Sequence, residues 1–374
     1  MRWAGSAEPA PRRVLPPLAT ILGVGTAVPA TSYTQEEVLD LFQVTDPRIR
    51  GVFLNGGIER RNLCLPSRPA DGTPHETQDE LLRKHRTVGL EIGRQAIAAC
   101  LASCGRTLAE IEYLCCVSST GLLTPGFSAH LIKELGIPHT CSRLDVVGMG
   151  CNAGLNALAA VTGWSHAHPG KLALMVCIEV CSAMYVFDGS INTAVVNSLF
   201  GDGAAALALT SHGDAAAGNA ATGDAAAGGP HLLRFSSCII PDAIDAMRID
   251  WSELHGKFSF ALEPEVPYVV GASAEGALDR LLDGAGLRRS DIAHWLVHSG
   301  GRKVVDAVRV NFRISRHDVR HTLGVLRDHG NLSSGSFLFS YERLAREGCV
   351  APGDLGVMMT MGPGSTIEMA LVQW

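Results

Sequence analysis

The chain has 374 residues, 47% of them hydrophobic and 18% charged, with a formal net charge of −6. That length exceeds one simple core and points to two similar-sized domains or one duplicated unit. The slightly acidic balance argues against nucleic acid or an anionic membrane surface as a partner, and no apolar run reaches the length of a membrane span.

Residues 1–17 read as a flexible N-terminal segment: Arg12 and Arg13 precede a Pro pair that interrupts any export signal. "ATILGVGTAVP", from Ala19, reads as the first core strand ending in a turn. "EIEYLCCVSS" (Glu110 to Ser119) is a second strand. "VVGMGCNAGLNAL" (Val146 to Leu158) then sets one cysteine between a glycine pair and an apolar helical pattern. Leu155, Leu158 and Val161 recur at near-helical spacing with Ala between them, so the helix is expected to be buried almost all round. Cys151 would stand at its N-terminus, where unpaired amides and the macrodipole favour a thiolate. Most free cysteines are packing residues, and from this stretch alone that reading stays open. Eleven cysteines are present, without a C-x-x-C pair or zinc-like spacing. Several, such as Cys115, Cys116 and Cys177, lie in apolar runs, the usage of a reducing cytosol. A cytoplasmic protein is the expectation.

"GDAAAGNAATGDAAAGG", residues 213–229, has nothing to bury and reads as a surface connection. It separates two halves, 18–212 and 230–374, that echo each other. "EIEYLCCVSS" matches "DIAHWLVHSG" from Asp291; "PGKLALMV" from Pro169 matches "PGDLGVMM" from Pro352. "GDGAAALAL" from Gly201 matches "GPGSTIEMAL" from Gly362. Each half then reads helix, strand, long helix, strand, GxG hairpin, strand. Two such α/β units related by a pseudo-twofold predict five layers, αβαβα, with mixed sheets and one central helix from each half. Counting back from the paired Pro-Gly steps aligns Cys151 with Ser334, in the polar turn of "HGNLSSGSFLFSYERL". The two buried helices would therefore start at a shared centre, with Cys151 on one side and Asn331 on the other. His298 ends the strand "IAHWLV", where ligand sites gather in α/β sheets. A core histidine satisfied by backbone, and an Asn used as a cap, are the plainer readings of His298 and Asn331. Three such residues at element ends facing one centre are harder to dismiss.

On these residues the sequence resembles the type III polyketide synthases, condensing enzymes of thiolase fold, from about Leu18 to Trp374. The carrying motifs are "CCVSSTGLLTPG", "GCNAG", "LFGDGAAALAL", "WLVHSGGRKVVDAV", "HGNLSSGSFLF" and "GPGSTIEMAL", in that order. The resemblance implies that Cys151, His298 and Asn331 form a catalytic triad. It also places Phe260, in "FSFALEPEVP", on a gatekeeper position and Gly362, Pro363 and Gly364 beside the substrate. The lysines that plant members set on CoA phosphates are not matched; Arg48 falls on one position and Arg50 next to another. A second gatekeeper has Tyr185 and Phe187 as candidates. Within the family the bacterial 3,5-dihydroxyphenylacetyl-CoA synthases of glycopeptide-antibiotic pathways are most similar. That implies four malonyl-CoA (one starter, three extenders), no cofactor and no metal, a homodimer using the loop Ser119 to Gly126, and enoyl-CoA hydratase-like accessory enzymes as partners. The alternatives are another type III enzyme making resorcinols or pyrones from a different starter, and a ketoacyl synthase III-like enzyme. The local signature of a papain-like hydrolase is absent around Cys151.

Overall fold

The computed structural model describes residues 15–70, 72–212 and 229–374. The expected surface connection, all but its last residue, and the first fourteen residues of the expected flexible segment lie outside that range.

The N-terminal half opens with β1 (Ala19–Ala27) and a small ribbon, β2 (Ser32–Thr34) with β3 (Arg60–Asn62), that carries α1 (Gln35–Leu41) and α2 (Pro47–Leu54). The long α3 (Gln78–Cys104) starts at a capping box, Thr77 with Glu80, and stops at Gly105 in the left-handed region. There follow β4 (Ile111–Val117), α4 (Phe127–Leu135), β5 (Ser142–Val146), α5 (Ala153–Ala167), β6 (Leu172–Glu179), α6 (Ile191–Leu199) and β7 (Gly203–Thr210). The C-terminal half has β8 (His231–Ile239), the ribbon β9 (Met247–Ser252) with β10 (Lys257–Leu262), α7 (Val266–Asp283), β11 (Ile292–Val297), α8 (Arg302–Phe312) and α9 (Arg320–His329). It closes with α10 (Ser336–Glu347), β12 (Leu355–Gly362) and β13 (Thr366–Gln373).

The three sequence echoes fall on matching strands: β4 with β11, β6 with β12, β7 with β13. Each half is mixed, parallel at β4–β6 and β11–β12, antiparallel at β6–β7 and β12–β13. The halves are not separate sheets. β1 pairs with β7 on one side and, through Ala19–Leu232 and Thr20–His231, with β8 on the other. One ladder of nine strands results, in the order β11-β12-β13-β8-β1-β7-β6-β4-β5. Helix α3 covers the N-terminal half outside and α7 the C-terminal half, while α5 and α10 lie between and touch strands of both.

The central contact is tight. A Cβ at Gly154, in the first turn of α5, would stand 2.2 Å from the carbonyl oxygen of Ser334 just before α10. Only glycine allows that approach. Helix α5 is buried on every side only over its first turns; Ala160, Gly163 and His166 are exposed, so its C-terminal part keeps a wet face. The expected GxG hairpin exists between β12 and β13 alone. In the N-terminal half α6 and the turn before it intervene between β6 and β7, and this insertion supplies a wall of the site.

Candidate active site

After β5 the chain passes Gly148 (φ +77°) and Gly150 (φ +69°) into a single turn, Gly150–Asn152, that leads into α5. Cys151 is buried, 6% exposed, and faces a cavity of about 480 Å³. The hairpin Gly362–Gly364 packs directly on this turn. A Cβ at Gly150 would meet Pro363 Cδ at 2.4 Å, and one at Gly362 would meet the Cys151 amide nitrogen at 2.9 Å. Gly364 turns the hairpin at φ +73°. Pro363 lines the cavity itself.

Asn331 is pinned by its backbone: its N–H donates to Leu199 O (2.8 Å) and its carbonyl accepts from Gly201 N–H (3.0 Å). Its side-chain oxygen accepts from the Ser333 N–H at 2.8 Å, which leaves its NH₂ to donate. That amide and Ser333 Oγ (3.5 Å) both hydrogen-bond the Cys151 sulfur. His298 continues β11, its N–H donating to Met359 O at 2.8 Å. Its Nδ1 pairs with Ser336 Oγ at 2.5 Å, at the start of α10, so Nε2 is the ring nitrogen left for chemistry.

Burial opposes charge on both groups. It pushes the Cys151 thiol up to about 12, against the hydrogen bonds of Ser333 and Asn331, and it pushes His298 down to about 3. Burial therefore opposes the thiolate that the helix N-terminus and the two donors on the sulfur favour.

The cavity is walled by Phe200, Phe260, Met184, Cys181, Val196 and Leu122 among others. Phe200 and Phe260 meet edge to face, ring centroids 5.6 Å apart. Phe200, at the end of α6, is thus the aromatic partner of Phe260. Tyr185 instead bonds the buried Arg61, and Phe187 stacks on Phe42 at 3.5 Å. The quoted stretch "LFGDG" contained Phe200, but its placement depends on the α6 insertion.

Arg48 and Arg50 do not line this cavity. Arg48 extends into solvent, 81% exposed, and pairs with Asp46 at 2.9 Å. Arg50 is tied to Glu36 and to Val44 O (3.2 Å). Both sit on α2, which faces a separate cavity of about 390 Å³ beside Phe42 and Phe187. Arg248, on β9, is instead an arginine that lines the Cys151 cavity. Sequence reasoning also missed a polar group behind the nucleophile: the buried Glu179, Ser333 and Ser334 with the half-buried Ser119. The one visible signal was an acid closing the wholly apolar strand "LALMVCIE".

Comparisons with known proteins agree with this geometry. The family profile described as "Chalcone and stilbene synthases, N-terminal domain" matches residues 74–213, and the corresponding C-terminal domain matches 233–374. A 3,5-dihydroxyphenylacetyl-CoA synthase of Streptomyces toyocaensis is 62% identical over 96% of this chain and 91% of its own. A 1,3,6,8-tetrahydroxynaphthalene synthase of Streptomyces peucetius subsp. caesius is 30% identical over 95% and 93%. The crystal structure of 1,3,6,8-tetrahydroxynaphthalene synthase from Streptomyces coelicolor A3(2), a bacterial type III polyketide synthase, superposes with a TM-score of 0.81. It has 28% identity over 95% of this chain and 99% of that one. With two family domains spanning most of its length and the fold to match, this chain belongs to the chalcone and stilbene synthase family and is a type III polyketide synthase.

Proposed function

We propose that the enzyme condenses four malonyl-CoA into 3,5-dihydroxyphenylacetyl-CoA. The 62% identity to synthases of that name, over 94 to 96% of the chain, supports the product. The observation that carries the chemistry is the Cys151 sulfur at the wall of an apolar cavity, with the Asn331 amide upon it. Cys151, as thiolate, attacks the thioester carbonyl; the C–S bond to CoA breaks and CoA leaves as its thiol. A second malonyl thioester loses CO₂, and its electron pair becomes an enolate. His298 Nε2–H and the Asn331 NH₂ are the two donors for that enolate oxygen, each worth about 3 kcal/mol in such a role. The enolate carbon attacks the acyl–Cys151 thioester and frees the sulfur. Each malonyl unit leaves two carbons, so one starter and three extenders supply the eight-carbon acyl group. The Phe200–Phe260 pair folds the tetraketide for ring closure. A cavity of about 480 Å³ suits this task, within the usual ~300–1,000 Å³ of small-molecule sites.

Leu122 and Val147, 67% and 61% exposed beside the cavity, support a homodimer that covers them. All eleven thiols are free, which favours the cytoplasm. Among the described residues no helix is long and apolar enough to cross a membrane. Accessory enzymes acting on the thioester product complete the reading. The test is purified protein with malonyl-CoA as sole substrate and products identified by mass spectrometry. 3,5-Dihydroxyphenylacetyl-CoA or its free acid is expected; a strict need for another acyl-CoA starter overturns the product assignment.

A further inference from the structure

A polyketide chain carries a carbonyl oxygen on every second carbon, so the wall that folds it needs donors. Closing the tetraketide to a 3,5-dihydroxyphenyl ring joins its terminal carbon to the third, whose oxygen leaves as water. A ketone oxygen that instead reaches the thioester closes a pyrone. The two outcomes differ in where the ketone oxygens are held, and a donor in the wall selects between them. Most polar groups that line the cavity are already committed. Thr120 Oγ1 accepts from Val180 N–H at 2.9 Å and pairs with His85 Nδ1 at 3.3 Å. Ser119 is bonded to Glu179, and Ser333 to the Cys151 sulfur. Ser118 Oγ is buried out of reach. Arg248 donates to Asp250 (2.8 Å), Glu263 (3.1 Å) and Asp245 O (2.9 Å).

Gln78 keeps a donor in reserve. It is the first residue of α3, directly after the capping Thr77, and it lines the cavity. Its Oε1 accepts from the Phe258 N–H on β10 at 2.9 Å. A backbone N–H can only donate, so this bond fixes which end of the amide is oxygen. The NH₂ end has no acceptor among the described residues. Phe258 and Phe260 share one face of β10 and both line the cavity. The donor is thus held beside the aromatic wall, by a helix of 27 residues on one side and the ribbon on the other. In a mostly apolar site a few placed polar groups fix how the ligand lies. We propose that Gln78 determines the product by donating its NH₂ to a ketone oxygen of the tetraketide, an inference that rests on the product assigned above. The oxygen so held stays off the thioester, and the chain turns for carbon–carbon closure.

A latch between α3 and the ribbon would also use the Gln78–Phe258 bond, and two substitutions of opposite kind separate the roles. Gln78→Glu keeps an acceptor for the Phe258 N–H but has no NH₂. Gln78→Lys keeps a donor and loses the acceptor. Each variant is incubated with malonyl-CoA, and the ratio of 3,5-dihydroxyphenylacetyl product to pyrones is measured by liquid chromatography with mass spectrometry. The ratio is expected to fall about tenfold in Gln78→Glu, the worth of one hydrogen bond, and to hold near wild type in Gln78→Lys. A latch alone predicts the reverse order. A ratio in Gln78→Glu that equals or exceeds the ratio in Gln78→Lys overturns the proposal. If Gln78→Glu does not fold, Gln78→Met, which has neither group, takes its place under the same criterion. Wild-type protein that yields no 3,5-dihydroxyphenylacetyl product from malonyl-CoA overturns the product assignment itself, a result read before any variant.

Discussion

A methyl group at Gly150 would strike Pro363, and its φ of +69° would strain any residue with a Cβ. Gly150→Ala should therefore lower the melting temperature and displace the nucleophile. Misplacement by an ångström can cost on the order of 100-fold, so Cys151 acylation followed by intact mass should slow by about that factor. Wild-type melting with wild-type acylation would show that the hairpin yields freely. At the cavity wall, Phe200→Ala and Phe260→Ala should each keep consuming malonyl-CoA while diverting it to pyrones and hydrolysed chains. An unchanged product ratio by liquid chromatography would remove the aromatic pair from control of cyclisation. The places of Cys151, His298 and Asn331 at element ends were legible because each stands within two residues of a glycine, a local pattern. Glu179, Ser119 and Ser333 were not, because their pattern is a meeting in space across more than 200 residues. Arg48 and Arg50 stand outside the Cys151 cavity because charge at a matching position says nothing about where the helix beneath it points.

The α6 insertion depends on one residue from the small ribbon. Arg61 is wholly buried and donates to Asn197 O (2.5 Å) and Phe200 O (2.7 Å), carbonyls at the C-terminal end of α6. It also donates to Tyr185 OH (2.6 Å) and Gln35 Oε1 (2.7 Å). Its guanidinium thus replaces water as the cap of that helix and holds the backbone of Phe200 in place. Arg61→Met leaves these acceptors dry and unpaired, and urea denaturation should show a loss of about 3–5 kcal/mol. A loss below about 1 kcal/mol would mean that the acceptors find other donors. Elements repeated between the halves were readable since a strand and its echo share the same apolar rhythm. The ribbon β9–β10 alternates apolar and polar residues, as in "MRIDWS", but it has no echo in the other half and so fell outside the repeat that made the other strands readable.

Over the whole molecule, two buried histidines couple folding to pH. Burial lowers His85 to about 4 and His298 to about 3, while in the unfolded chain both return toward 6.5. Their folded values are depressed, so between those limits the unfolded state binds more protons and stability falls as the pH is lowered. Each contributes up to about 1.4 kcal/mol per pH unit in that window. The urea midpoint should drop between pH 6.5 and 4.5, before most carboxylates titrate, and His85→Gln should flatten the slope. A midpoint that holds or rises would contradict the burial of both rings. The seam between the halves carries a further consequence. Only two residue pairs join β1 to β8, yet α5 and α10 each pack on strands of both halves, and Gly154 touches the turn before α10. A chain cut between 212 and 229 should give two fragments that fold poorly alone and complement each other when co-expressed. The nucleophile comes from one fragment, its amide donor and Ser333 from the other. Until the halves close, Asn331 lacks the Leu199 and Gly201 backbone partners that hold it in place, so partly folded chains should stay inert toward malonyl-CoA and not waste it as CO₂.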